Sequence, residues 1–84
     1  NGRSIGAGGL PRPAYTIQEE GRIVINITVD PKGNVIFAEV GRGTNIDNAS
    51  MRKSALDAAR KAKFNSISGA NNQSGTITYV YKFK

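Results

Sequence analysis

The sequence predicts an α+β domain of ββαβ topology: a three-stranded antiparallel sheet in the spatial order 2-1-3 with one main helix packed on one face. Three observations carry this. An alternating strand runs straight into a sharp turn and a second apolar run, an alanine stripe follows at helical spacing, and a second alternating stretch closes the chain.

In the first stretch, Gly21 to Val29, the residues Ile23, Ile25, Ile27 and Val29 share one parity, and Arg22, Asn26, Thr28 and Asp30 share the other. Successive side chains of a strand point to opposite faces, so this pattern describes a strand buried on one side. Val24 is the exception. Asp30-Pro31-Lys32-Gly33 then supplies a turn, because proline presets φ at the second position and Gly33 can adopt the left-handed conformation that closes a short hairpin.

Val35 to Val40 reads as the second strand, with apolar residues at both parities; a bulge or a partly covered second face accounts for the mixture. Gly41-Arg42-Gly43-Thr44-Asn45 breaks it. Asp47 or Asn48 can cap the helix that follows by accepting from an unpaired amide of its first turn. Met51, Ala55, Ala58, Ala59 and Ala62 form one narrow helical stripe, whose small side chains let the axis lie close on the sheet. Lys53–Asp57 and Asp57–Lys61 have the i,i+4 spacing of surface ion pairs, and Arg60, Lys61 and Lys63 suit the negative end of the helix dipole. Phe64 follows as a core plug, and Asn65 to Gly75 reads as a polar loop. In the last stretch, Thr76 to Lys84, the residues Ile77, Tyr79, Tyr81 and Phe83 share the inward parity.

Strand order sets the topology. If the first strand runs up, the second runs down, the helix up and the third strand down, so an all-antiparallel sheet requires the third strand to pair with the first. The most regular strand is then central and the C-terminal strand lies at an edge. An uncovered edge offers amides and carbonyls to an extended partner.

Composition narrows the chemistry. The 84 residues contain no cysteine and no histidine, which removes thiolate metal sites, disulfides, the commonest general base and the commonest neutral metal ligand. The six acidic residues show no helical pairing that would build a carboxylate site. A non-enzymatic protein without metal or cofactor is expected. Residues 1–14, with Gly2, Gly6, Gly8, Gly9, Pro11 and Pro13, read as a flexible linker ahead of a domain over 15–84. Gly6-Ala7-Gly8-Gly9 is no phosphate loop, since no strand precedes it and no Gly-Lys-Ser/Thr ends it. The chain begins without methionine and is expected to be a piece of a longer protein.

Several residues together resemble the C-terminal domain of TonB-family energy transducers. The likeness runs through Pro13-Ala14-Tyr15, Glu20-Gly21-Arg22-Ile23, the Gly33 turn, Val35, Ala38 and Val40, the alanine-rich helix ending in Lys63-Phe64, and Gly75 before a strand ending in Phe83. Thr16 stands where the family carries proline, Met51-Arg52 where it carries Leu-Asp, and Asn65-Ser66 where a proline follows the aromatic. The resemblance implies a periplasmic domain, tethered to the inner membrane by a segment absent from this chain, that grips outer-membrane transporters. It implies two kinds of partner: transporters engaged through an extended peptide, and an inner-membrane proton-channel complex reached through the missing N-terminal region. Joined to the edge-strand argument, it points to Thr76, Ile77, Thr78, Tyr79, Val80, Tyr81, Lys82 and Phe83 as the docking edge. By parity Tyr79 and Tyr81 are assigned to the core before any contact with a partner.

The net charge of +6 and a pI near 10.1 raise a second class of function, a basic module for nucleic acid or an anionic envelope polymer, with Arg52, Lys53, Arg60, Lys61, Lys63, Lys82 and Lys84 on phosphates. Against nucleic acid, the tyrosines point toward the helix, where they cannot serve as a base-stacking platform. An open edge strand can also pair with its own copy to give a homodimer.

Overall fold

The computed structural model describes residues 17–65, 69 and 71–83. The expected linker over 1–14 and the Pro13-Ala14-Tyr15 lead-in lie outside them. Four elements follow in order: β1 (Gly21–Val29), β2 (Val35–Val40), α1 (Ala49–Arg60) and β3 (Gln73–Tyr81). All strand pairs are antiparallel and the sheet order is β2-β1-β3, as the alternation and connection rules require.

The core forms on one face of this sheet. Ile23, Ile25, Ile27 and Val29 are buried, and across the β1–β3 ladder Ile23 meets Tyr79 and Ile25 meets Ile77. Met51, Ala55, Ala58 and Ala59 close the core from α1, with Ala62 just beyond it. Removing each large aliphatic side chain from water contributes roughly 1.5–3 kcal/mol, so the isoleucines of β1 supply most of the drive and the alanines supply close approach. Ile46, fully buried, is a further core residue. It is a single aliphatic side chain in an otherwise polar loop, and no periodicity marks it.

The helix lies over β2 and β1 and makes at most marginal contact with β3. Asn48 is the cap: its backbone is extended, and its side chain accepts from the Met51 amide at 2.9 Å, a bond typically worth about 1 kcal/mol. The Asn48 side chain also donates to Gln18 Oε1 at 2.8 Å, and Glu19 Oε1 accepts from the Asp47 amide at 3.2 Å. The residues leading into β1 are thereby tied to the N-terminus of α1, where a carboxylate is favoured by the helix dipole.

Four expectations need correction. The helix stops at Arg60 instead of running to Lys63-Phe64. Leaving helical conformation lets the Phe64 amide donate to Gly33 O at 2.9 Å and lets Lys63 bridge to Asn34, while the Phe64 ring packs partly buried on the core. Asp57 pairs with Lys53 and with Arg60, at 3.1 and 3.4 Å, in place of Lys61; Lys61 lies past the end of the helix. Gln73, Ser74 and Gly75, expected in the loop, belong to β3 and pair with Val29, Thr28 and Ile27, because β1 offers open positions up to the turn. Phe83 is 56% exposed instead of buried. The ladder ends at Gly21–Tyr81, so Lys82 and Phe83 lie beyond the strand, and the Phe83 amide donates to Glu20 Oε2 at 2.8 Å.

The mixed parity of β2 comes from a register slip opposite Thr28 and Val29. Val35, Ala38 and Val40 are half-buried against the core, while Ile36 and Phe37 are exposed.

Candidate functional site: an open sheet edge

A strand residue in an antiparallel ladder directs its N–H and C=O to the same side, and successive residues alternate sides. The hydrogen bonds of β1 fix that alternation. Arg22 N donates to Asn45 Oδ1 at 2.7 Å, and Arg22 O accepts from the Asn45 amide at 3.1 Å. Val24 N donates to Thr44 Oγ1 at 2.9 Å, and Val24 O accepts from the Gly41 amide at 2.8 Å. Even-numbered residues of β1 therefore bond toward the β2 side. Odd-numbered ones bond toward β3, where their partners in register are Gly75, Ile77, Tyr79 and Tyr81. It follows that the backbone groups of Thr76, Thr78 and Val80 turn away from β1, to the open side of the sheet.

The two edges are not equivalent. At the start of β2 the outer edge is engaged, since Lys63 bridges to Asn34 through the backbone and its ammonium donates to the Asn34 side-chain oxygen. Along β3 no described element pairs on the outer side. Thr44 and Asn45 extend the cover of β1 past the end of β2. Sequence reasoning treated that loop only as a break; the Gly-Thr-Asn run after the strand was the available signal.

Of the eight residues expected at the docking edge, six lie in β3 and alternate between faces. Ile77, Tyr79 and Tyr81 are buried on the helix side, so the tyrosines serve the core. Thr76, Thr78 and Val80 are exposed on the other face, with Val80 at 63%. There they stand across from Asn26, Val24 and Arg22. A cleft of ≈ 420 Å³ lined by Glu20, Gly21, Arg22, Val80, Tyr81 and Lys82 borders the end of the strand. A smaller one of ≈ 170 Å³ lies by Gly75, lined by Ile27, Val29 and Phe64 together with Gln73, Ser74 and Thr76. A strand laid along β3 thus meets the Thr76 and Thr78 hydroxyls and Val80 on one face, charged groups of Glu20, Arg22 and Lys82 at one end and the apolar side chains of Ile27, Val29 and Phe64 at the other.

Tyr79 shows what core duty demands of a polar group. Its hydroxyl is buried without a hydrogen-bond partner among the described residues, and burial raises its pKa above the ordinary 10.0. Because the folded protein holds this proton more tightly than the unfolded chain, stability falls as pH rises above 10.0, the sign expected for a raised acid. Tyr79→Phe is expected to raise stability by about 1 kcal/mol, the low end of the cost of an unsatisfied buried hydroxyl, and to reduce the alkaline loss. Melting curves at neutral pH and above pH 10 check both; a lower melting temperature for the variant at both would show that the hydroxyl is satisfied.

The Asp30 carboxylate serves its own turn. Asp30 accepts from the Asn34 and Lys32 amides at 2.8 and 3.0 Å, and these bonds, Asn34 first, hold its pKa below the ordinary 3.8. Among the described residues no three His, Cys, Asp or Glu side chains gather as a metal site, and no helix is long and apolar enough to cross a membrane.

Residues 10–84 match the sequence model of a family described as Gram-negative bacterial TonB protein C-terminal. No curated protein and no solved structure matches this sequence.

Proposed function

Since the chain belongs to the Gram-negative TonB C-terminal domain family, we propose that it is a non-enzymatic periplasmic adaptor that captures an extended segment of outer-membrane transporters by strand addition to β3. The observation that carries this reading is the outward set of backbone groups on Thr76, Thr78 and Val80, along an edge with no described neighbour. Three residues facing the same way present three donors and three acceptors, which suits a partner segment of about five to seven residues in extended form. Main-chain bonds supply affinity there, and the two clefts select side chains. Lys82 and Phe83 flank the strand and complete the docking edge. The domain comprises residues 15–84, and a tether preceding it joins the inner membrane and its proton-channel complex.

The test is an amide chemical-shift titration of the labelled domain with a peptide carrying the transporter segment. Shifts concentrated at residues 76–83 are expected, with affinity only weakly dependent on salt. A basic module for a polyanion would instead lose affinity linearly in the logarithm of salt concentration, with shifts on the helix. The second pattern, or no shift at millimolar peptide, would overturn strand capture.

A further inference from the structure

The face of the sheet turned away from α1 carries a regular grid of side chains. Phe37 stands opposite Thr28 and Glu39 opposite Asn26, and across the other ladder Thr28 meets Ser74 and Asn26 meets Thr76. Strands spaced about 4.8 Å apart, with a rise of about 3.3 Å per residue, make this grid roughly 7 by 10 Å. With Ile27 and Gly75 the six residues line an open cleft of ≈ 410 Å³, within the usual size of small-molecule sites.

The lining sets one ring among hydrogen-bonding groups. Phe37 is 54% exposed. Around it stand a carboxylate, an amide and three hydroxyls, and the side chains of Asn26, Thr28, Glu39 and Thr76 make no hydrogen bond to any described residue. Gly41 gives the amide its place. Its φ is not positive, so the backbone does not call for glycine, but a Cβ there would collide with the Asn26 side chain. Among the described residues lining the cleft, Glu39 alone is charged.

We propose that this cleft binds an uncharged oligosaccharide, with Phe37 stacked on a pyranose ring and Glu39, Asn26, Thr28 and Thr76 bonded to its hydroxyls. A pyranose presents C–H groups on its ring faces and hydroxyls at its rim. The C–H groups suit the negative face of an aromatic ring. Each hydroxyl both donates and accepts, so the two oxygens of Glu39 can accept from neighbouring hydroxyls while the Asn26 amide takes one bond of each kind.

Other occupants use less of the lining. An anion meets the Glu39 carboxylate. An organic cation would use Phe37 and Glu39 but leave the amide and hydroxyls idle, and the net charge of +6 repels it at a distance. A peptide strand finds no free main chain here, because Asn26 and Thr28 lie in the central strand between two ladders. A second copy needs roughly 800 Å² of well-packed surface per partner, and one aromatic amid polar groups does not provide it. A strand added to β3 pairs beside the sheet and leaves this face uncovered, so the site is independent of peptide capture.

The test is an amide chemical-shift titration of the labelled protein with cellotriose and with maltotriose, which differ in linkage. A dissociation constant on the order of 1 mM is expected for at least one of them, unchanged by salt, with shifts centred on residues 26, 28, 37, 39, 74 and 76. Trigalacturonate and choline, the anionic and cationic comparators, leave these residues unshifted. Phe37→Ala is expected to weaken sugar binding about tenfold and Asn26→Ala about fivefold, while Glu39→Gln, which keeps an acceptor, costs about threefold. Phe37 and Glu39 are exposed, so their variants leave the core intact, and circular dichroism checks each fold. Three outcomes would overturn the proposal: no shift with either trisaccharide at about ten times the expected constant, tighter binding of a comparator than of both sugars, or undiminished sugar affinity in a folded Phe37→Ala variant.

Discussion

Val80→Pro is expected to cripple capture of an extended peptide while the domain stays folded. The amide that proline removes points away from β1, so all nine register pairs of the β1–β3 ladder persist. Val80 is 63% exposed, so the core loses no packing. The incoming strand loses one donor, worth about 0.5–1.5 kcal/mol net, and the proline ring stands where its backbone would approach. Together these effects should weaken binding at least about tenfold, which is about 1.4 kcal/mol. Tyr79→Pro is the contrasting variant. Its amide faces β1 opposite Ile23, and its loss should unfold the domain instead. Calorimetric titration with the transporter segment, run beside a thermal melt, separates the two effects. Undiminished affinity in a folded Val80→Pro variant would sink strand addition at this edge.

Gly33→Ala should be the most destabilising exchange of a single small residue. Gly33 has φ of +93°, a region that costs an L-residue roughly 1–2 kcal/mol. An added Cβ would also fall on the backbone carbonyl of Phe64, the same stretch whose amide donates to Gly33 O at 2.9 Å. Relieving that overlap adds about 1–3 kcal/mol and pulls Phe64 and Lys63 off the start of β2. For a domain of this size each kcal/mol moves the melting temperature by roughly 4–8 °C, so a fall of more than about 10 °C is expected. An unchanged melting temperature would mean that the turn and the end of α1 are not locked together.

Much of this architecture was legible because the strands announce themselves. The parity of Ile23, Ile25, Ile27 and Val29 located the core face of β1, and the order of elements forced β3 to the edge. The alanine stripe placed α1. What stayed hidden were features set by partners distant in sequence. Nothing local says that Phe64 leaves the helix to bond Gly33, or that Ile46 fills the core from a loop. Parity alone put Phe83 inside, but parity holds only while a ladder continues, and β1 has no strand residue left beyond Gly21 to pair with it. The docking edge was readable as a strand at the sheet margin. Which of its amides point outward was not, since that phase is set by the bonds from Asn45, Thr44 and Gly41 to β1.

The β1–β3 ladder has a mechanical consequence. Nine consecutive pairs join the strand that the chain enters at Gly21 to the strand at the open edge, and ladder bonds lie perpendicular to both strands. A pull along the strand axes loads these bonds in shear, all at once, so rupture requires most of them to fail together. A pull across the sheet would open them one at a time, like a zipper. The domain is therefore stiff along the line from its lead-in segment through β1 into β3, and compliant at right angles to it. A tether that pulls β1 from Gly21 along its axis, against a strand held on β3 and pulled the opposite way along that axis, would load the stronger of these two directions.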